Sequence, residues 1–333
     1  MPSSSERLSP EPIDPQIDSI QPGGGVCMRI ELAWGFVRRA FLKTFCKGYV
    51  EKMAALRKGD HNPCPFEVLD PRDLKFYRNQ GGYSWDESDD PFTWRDRLPF
   101  ARAGLTELWI LTSLFFLATA LVGWGASFFD GPVRWILLFL AAAGLFCGCA
   151  IVWFFRNPRR VPPTDPGAVI SPADGTIVHI EELAHDDFVG GPALLIGIFL
   201  SIFNVHINRV PVAAKIIGLQ YRRGKFLNAL LAASARENEQ LAVRLEQNVA
   251  PYRRMIVRQI AGAIARRIVC WVRPGDELPT GAQFGMIKLG SRTELVLPRE
   301  VGLEIVAKLG QKVKAGESIL VRYDASGEKM DHN

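Results

Sequence analysis

The chain has 333 residues, 48% hydrophobic and 23% charged, with 40 Lys and Arg against 35 Asp and Glu for a net charge of +5. This is too apolar for a disordered protein and too long for a disulfide-stapled miniprotein, and the length suits roughly two domains. The charge excess is too small to imply a nucleic-acid partner, and a mean hydropathy of +0.06 beside so much charge points to one strongly apolar segment averaged with ordinary globular sequence.

Residues 1–28 read as a disordered tail of Ser, Pro, Gly and acidic residues running to Gly23-Gly24-Gly25. The start, MPSSSERLSPEP, lacks a basic stretch followed by an apolar core and is not a cleavable secretory signal. Residues 29–107 divide in two. From Ile30 to about Lys58, apolar residues recur at three- and four-residue steps among Arg38, Arg39, Lys43, Lys47 and Lys52. That pattern predicts a basic amphipathic helix, either lying on anionic lipid or packed on the rest of the protein. Residues 59–100, rich in Pro, Asp, Gly and aromatics, read as irregular connecting structure.

Residues 108–155 hold the apolar segment. Leu108–Phe129 and Trp135–Phe155 carry no charge and are separated by a short turn. At ~1.5 Å per residue each nearly covers the ~30 Å core of a bilayer, which predicts a two-helix transmembrane hairpin. Arg95, Arg97 and Arg102 precede the hairpin, Arg156, Arg159 and Arg160 follow it, and the turn has only Arg134. The positive-inside rule then puts both long ends on the cytoplasmic side of the cell membrane.

Residues 156–333 change character again. Short β-like runs (among them 176–180, 194–199, 216–221, 240–245, 255–259 and 294–297) are punctuated by Gly and Pro, with one short helix expected near Leu227–Arg236. Ala168–Val178 and Leu309–Leu320 look like halves of a lipoyl-type barrel-sandwich. The expected fold class is a membrane-anchored α+β protein: a hairpin followed by a β-rich domain of many short strands with barrel-sandwich-like elements.

Metal chemistry is not predicted. The six cysteines form no CxxC pair, and the five histidines are scattered. Three local features of the β-rich region could carry chemistry. Asp174 lies in Ser171-Pro172-Ala173-Asp174-Gly175, a setting where a carboxylate is usually only a turn former. His206 stands among apolar residues beside Arg209, where a histidine is usually core. Ser291 follows Gly290 in a Gly-Ser pair that means little alone. Together, an Asp, a His and a Ser can activate a hydroxyl. The nucleophile elbow of hydrolases is missing, but a preceding glycine tolerates strain and close approach. A serine there can attack the carbonyl just before it, which is backbone self-cleavage.

The ordered segments FFRNPRR, SPADG, IFLSIFNVHINRVP, RRGKFLNA…ENEQ, RQIAGAIARRIVCWVRPGD and FGMIKLGSR resemble the short, pyruvoyl-dependent type of phosphatidylserine decarboxylase. The resemblance covers roughly residues 150–325; the first hundred residues have no recognised counterpart, and the hairpin is similar to the apolar anchor of such enzymes. It implies Asp174, His206 and Ser291 as a self-processing triad that cuts between Gly290 and Ser291. The residue at Ser291 would end as a covalent pyruvoyl group, the only cofactor, with no metal. That group would form a Schiff base with phosphatidylserine and release phosphatidylethanolamine. The partners implied are the membrane lipid and the two chains, 1–290 and 291–333, which stay together; a homo-oligomer is left open. Where longer relatives have a second histidine, this chain has Phe203. Arg209, Arg222 and Arg223 are head-group candidates on charge alone. Two rivals remain: a membrane-anchored lipoyl-like adaptor or carrier without activity, built on the same β-rich domain, and a serine hydrolase acting on lipids with the same triad.

Overall fold

The computed structural model describes residues 7–56, 68–71, 73, 90–231, 233–263, 267–288 and 290–324. The chain divides into two compact units. One is β-rich and takes in 1–92, 160–202 and 206–333; the other is helical and takes in 93–159 with the tripeptide 203–205.

The helical unit is built on α3 (Leu105–Gly125) and α4 (Gly131–Phe154), which follow α1 (Val26–Phe45) and α2 (Lys47–Ala55) of the other unit. Both are long and apolar enough to cross a membrane. They pack where side chains are small: a Cβ on Gly144 would lie 2.5 Å from Thr119 Oγ1, and one on Gly148 would lie 2.4 Å from the Phe116 ring. Small residues let helices approach without a hydrophobic drive between them. The open ends are clipped together, with the Ala101 amide donating to the Phe155 carbonyl (2.8 Å) and the Asn157 amide to that of Pro99 (2.8 Å). Arg156 stacks 4.1 Å from the Trp153 ring centroid and donates to the Phe203 carbonyl at 2.8 Å.

The β-rich unit opens with a departure from the tail expected over 1–28. From residue 7 the segment lies along the strands that follow. Ile17 and Ile20 are buried, Asp14 accepts the Tyr221 amide (2.9 Å), and the Ile20 carbonyl accepts that of Cys270 (2.8 Å). The Pro, Ser and Gly composition hid a few spaced isoleucines and a carboxylate that takes the place of a backbone partner. Next come α1 (Val26–Phe45) and α2 (Lys47–Ala55), broken at Cys46 within the single helix predicted. Leu42 and Met53 pack with Val68, Leu69 and Phe92, while Ile30, Trp34, Val37, Phe41 and Phe45 remain exposed on α1.

Fourteen strands follow among the described residues: β1 (Ala168–Ile170), β2 (Gly175–Asp186), β3 (Gly191–Leu200), β4 (Ile207–Arg209), β5 (Ala214–Arg222), β6 (Gln240–Gln247), β7 (Arg254–Ile260), β8 (Arg267–Cys270), β9 (Glu277–Leu278), β10 (Gln283–Lys288), β11 (Ser291–Pro298), β12 (Glu304–Ile305), β13 (Lys312–Val313) and β14 (Ile319–Arg322). An eight-stranded antiparallel sheet runs β13-β2-β3-β11-β7-β6-β5-β9, flanked by three-stranded sheets β1-β14-β12 and β4-β10-β8. The two stretches read as barrel-sandwich halves do meet, through Val313 opposite Gly175 and Ile170 opposite Ile319. The core is aliphatic: Ile196, Ile198, Leu200, Leu241, Val243, Val257 and Leu295 have no exposed surface.

The helix predicted over Leu227–Arg236 shrinks to α5 (Ser234–Glu237). Asn238 explains why. Its side chain accepts the Leu227 amide (2.8 Å) and donates to the Leu227 carbonyl (2.9 Å), tying that end as a loop.

Candidate active site

The serine lies where the chain changes sheets. β10 belongs to the sheet with β4 and β8, and β11 to the eight-stranded sheet, so the chain must turn sharply between Lys288 and Ser291. Gly290 makes that turn at φ +60, a left-handed conformation that glycine adopts without penalty. Ser291 then opens β11 opposite Leu200 with no exposed surface. Its Oγ is buried and has no hydrogen-bond partner among the described residues. Leaving a buried hydroxyl unpaired costs on the order of 1–3 kcal/mol, so such a group invites a functional explanation.

His206 comes to the same corner. It immediately precedes β4, its carbonyl accepts the Ile287 amide (3.1 Å), and it is fully buried. Its Nε2 accepts the Gly290 N–H at 3.2 Å. A nitrogen that accepts from a backbone amide carries no proton, so the ring proton sits on Nδ1. The basic nitrogen is thereby held one residue's backbone from the Gly290 carbonyl.

Asp174 sits in the β1–β2 loop, whose shape is fixed by the Ser171 hydroxyl bonding to the Ala173 carbonyl (2.7 Å). Its carboxylate accepts the Ala315 amide (2.7 Å) and Arg160 Nη2 (3.0 Å) and is 6% exposed. Arg160 also binds Glu317 at 2.9 Å. Arg209 closes the cluster from β4. Burial lowers its pKa first, repulsion from Arg160 adds to that, and Asp174 and Glu317 pull the other way. A Cβ on Gly316, at φ +80, would lie 2.9 Å from Arg209 Cδ, so glycine makes room for that side chain.

The head-group candidates therefore separate. Arg209 is buried and its Nη1 donates to the Gly281 carbonyl at 2.8 Å. Arg222 and Arg223 are exposed at the end of β5, with Arg222 also donating to the Arg236 carbonyl.

A buried polar spine connects the pieces. Asn208 donates to Thr293 Oγ1 (3.0 Å) and to the Pro172 carbonyl (3.4 Å), and Gln259 donates to Asn208 Oδ1 (2.9 Å). The aspartate loop, the strand after His206 and the strand begun by Ser291 are thus joined by side chains. Reasoning from sequence passed over Arg160, Asn208 and Gln259. Arg160 stood in FFRNPRR as a membrane flank; the other two lay within recognised segments without a signal of their own.

A family profile described as phosphatidylserine decarboxylase matches residues 149–321, which include Asp174, His206, Gly290 and Ser291. The chain belongs to the phosphatidylserine decarboxylase family. A phosphatidylserine decarboxylase proenzyme of Rhodopirellula baltica is 49% identical over 250 residues, 75% of this chain and 99% of the relative. One of Syntrophus aciditrophicus is 39% identical over 232 residues, 69% and 97% of the two chains. A third, of Desulfotalea psychrophila, is 45% identical over 169 residues, 51% of this chain and 77% of the relative.

Proposed function

We propose that this chain is a proenzyme that cuts itself between Gly290 and Ser291 and then decarboxylates phosphatidylserine to phosphatidylethanolamine. The observation that carries the reading is the pairing of an unprotonated His206 Nε2, 3.2 Å from the Gly290 nitrogen, with a buried Ser291 Oγ that has no partner among the described residues.

In the first step His206 takes the Ser291 hydroxyl proton while Oγ bonds to the Gly290 carbonyl carbon. The C–N bond breaks, its nitrogen takes up a proton, and the amide becomes an ester. Loss of the Ser291 Cα proton then breaks the Cβ–O bond, giving a Gly290 carboxylate and a dehydroalanine. That residue tautomerises, and water displaces ammonia to leave a pyruvoyl terminus. The buried corner fits such a group, because the hydroxyl it consumes is tied to nothing else. Once formed, the group supplies an electron sink for the departing CO2 that no ordinary side chain offers.

The remaining assignments concern the chain's own residues. The Asp174 cluster with Arg160, Arg209 and Glu317 stiffens the side of the site from which the His206 strand departs. His206 is also assigned the proton that replaces CO2. Arg222 and Arg223, exposed and basic, are the groups placed to meet an anionic head group, and the buried Arg209 is reassigned to support.

The helices α3 and α4 act in this reading as an anchor in the cell membrane, with the arginine-rich ends and the β-rich unit on the cytoplasmic side. The exposed apolar stripe of α1, flanked by Arg29, Lys43 and Lys47, suits the same anionic surface. Intact-mass spectrometry of the purified full chain tests the proposal. The expected result is two pieces, 1–290 and 291–333, the smaller blocked to Edman sequencing, and an uncut Ser291→Ala chain. A whole parent chain would overturn it.

A further inference from the structure

Gly262 lies in the stretch after β7, and the residue just before it is held at both of its backbone polar groups. The Ala261 amide donates to the Glu239 carbonyl (2.9 Å), and the Ala261 carbonyl accepts Asn238 Nδ2 (2.7 Å). Asn238 has no exposed surface and also holds both backbone groups of Leu227. The 225–239 loop and residues 261–262 therefore form one fixed wall.

Gly262 touches the bond proposed to be cut. A Cβ built on it would lie 2.1 Å from the Gly290 carbonyl oxygen, 3.1 Å from the Gly290 carbonyl carbon and 3.4 Å from Ala229 Cβ. Gly262 is not among the glycines of positive φ, so its backbone would accept any residue. What excludes a side chain is the space already taken by one particular carbonyl. Gly290 is the opposite case: its φ is +60 and an added Cβ would meet nothing within 4 Å. One glycine supplies conformation and the other supplies room.

The reaction makes that room matter. Attack by Ser291 Oγ needs the carbonyl plane turned toward the hydroxyl, and the oxygen moves as the carbon becomes tetrahedral. Displacing a reacting group by about 1 Å costs on the order of 100-fold in rate. A methyl group at position 262 would force a displacement of that size on the carbonyl oxygen, because the wall behind it is held by Asn238 and Ala229.

We propose that Gly262 is a positioning residue for self-cleavage: its missing side chain lets the Gly290 carbonyl oxygen seat against the 261–262 wall, which sets the plane of the scissile peptide for Ser291 Oγ. This rests on the self-cleavage reading and adds to it a residue outside the triad.

The test uses the full-length chain in detergent, with cleavage followed by intact mass. Gly262→Ala is expected to slow the appearance of the 291–333 fragment by about 100-fold, with circular dichroism and melting temperature close to those of the parent. Hydroxylamine separates the two chemical steps, because it cuts an ester but not an amide. The variant is expected to stay whole in hydroxylamine, since the block precedes ester formation. Adding Ala229→Gly, which opens the other side of residue 262, is expected to restore part of the rate. Cleavage of Gly262→Ala within about twofold of the parent, on the same rate scale, would overturn the proposal. So would an ester that accumulates and yields to hydroxylamine, and so would a misfolded variant, since the conflict is assigned to one carbonyl. If the parent itself stays whole, the self-cleavage reading fails; if the parent is cut and the variant is cut as fast, only the role of Gly262 fails.

Discussion

Two corners of the β-rich unit treat buried polar groups in opposite ways. Around Asp174, two carboxylates face two arginines, and the carboxylate also has the Ala315 amide. Around Ser291, the hydroxyl is sealed from water and has no partner among the described residues. The two corners are joined by Asn208, which touches the Pro172 carbonyl on one side and Thr293 on the other. A fully satisfied cluster resists deformation, while an unsatisfied group sits at higher free energy and is available for reaction. In the proposed self-cleavage, the satisfied corner would hold still the frame in which the unsatisfied one reacts.

The largest expected effects fall on the unsatisfied corner. His206→Ala removes the only assigned proton acceptor, and the precursor is expected to remain uncut by intact mass, as with Ser291→Ala. Processing of the histidine variant at the parental rate would break the comparison outright. Next is the satisfied corner. Arg160→Met takes one charge from a buried cluster and leaves Asp174 and Glu317 without it, which is expected to cost about 3 kcal/mol of stability and to slow cleavage without abolishing it. Thermal unfolding in detergent measures the first effect and the fragment time course the second. A variant as stable as the parent would show that the cluster is not the frame.

The smallest effect sharpens the comparison with a third buried carboxyl. Glu239 packs with the Tyr221 hydroxyl under Gly23 of the N-terminal segment. Burial pushes its pKa up to about 7, and Tyr221 and then Arg223 draw it partly back. The folded state therefore holds this proton more tightly than the unfolded chain, whose carboxyl titrates near 4.5. The resulting stability is full below that value and is lost as the pH rises through about 7. Melting temperatures of Glu239→Gln are expected to lose that decline between about pH 4.5 and 7; a variant with the parental slope would place the titration elsewhere.

How much could be read in advance follows from where the information lies. The apolar helices are legible because a charge-free run of that length is local and has few other uses. The long strands are legible from short β-rich runs between glycines and prolines. Ser291, His206 and Asp174 meant little singly and became readable through the ordered segments around them. Arg160 was hidden, since its partners lie 14 and 157 positions away. Gly262 was hidden for a different reason: a glycine needed for space looks the same in sequence as one needed for conformation. β4 and β9 are too short for periodicity, and β10 is an unbroken buried run with a glycine inside it. The N-terminal segment was misread because composition does not register the burial of Ile17 and Ile20 or the bond that Asp14 accepts from the Tyr221 amide.

The place of β11 has a consequence for a chain cut before Ser291 as proposed. β11 is hydrogen-bonded along both sides, to β3 and to β7, in the interior of the eight-stranded sheet. Beyond it, β13 pairs with β2 at the far margin of that sheet, and β14 pairs with β1 in another. A fragment beginning at Ser291 is therefore woven into the larger piece through four strand pairings. Severing one peptide bond would leave it interlaced, so the halves should melt together in a single transition, like a garment whose thread is snipped but whose stitches hold.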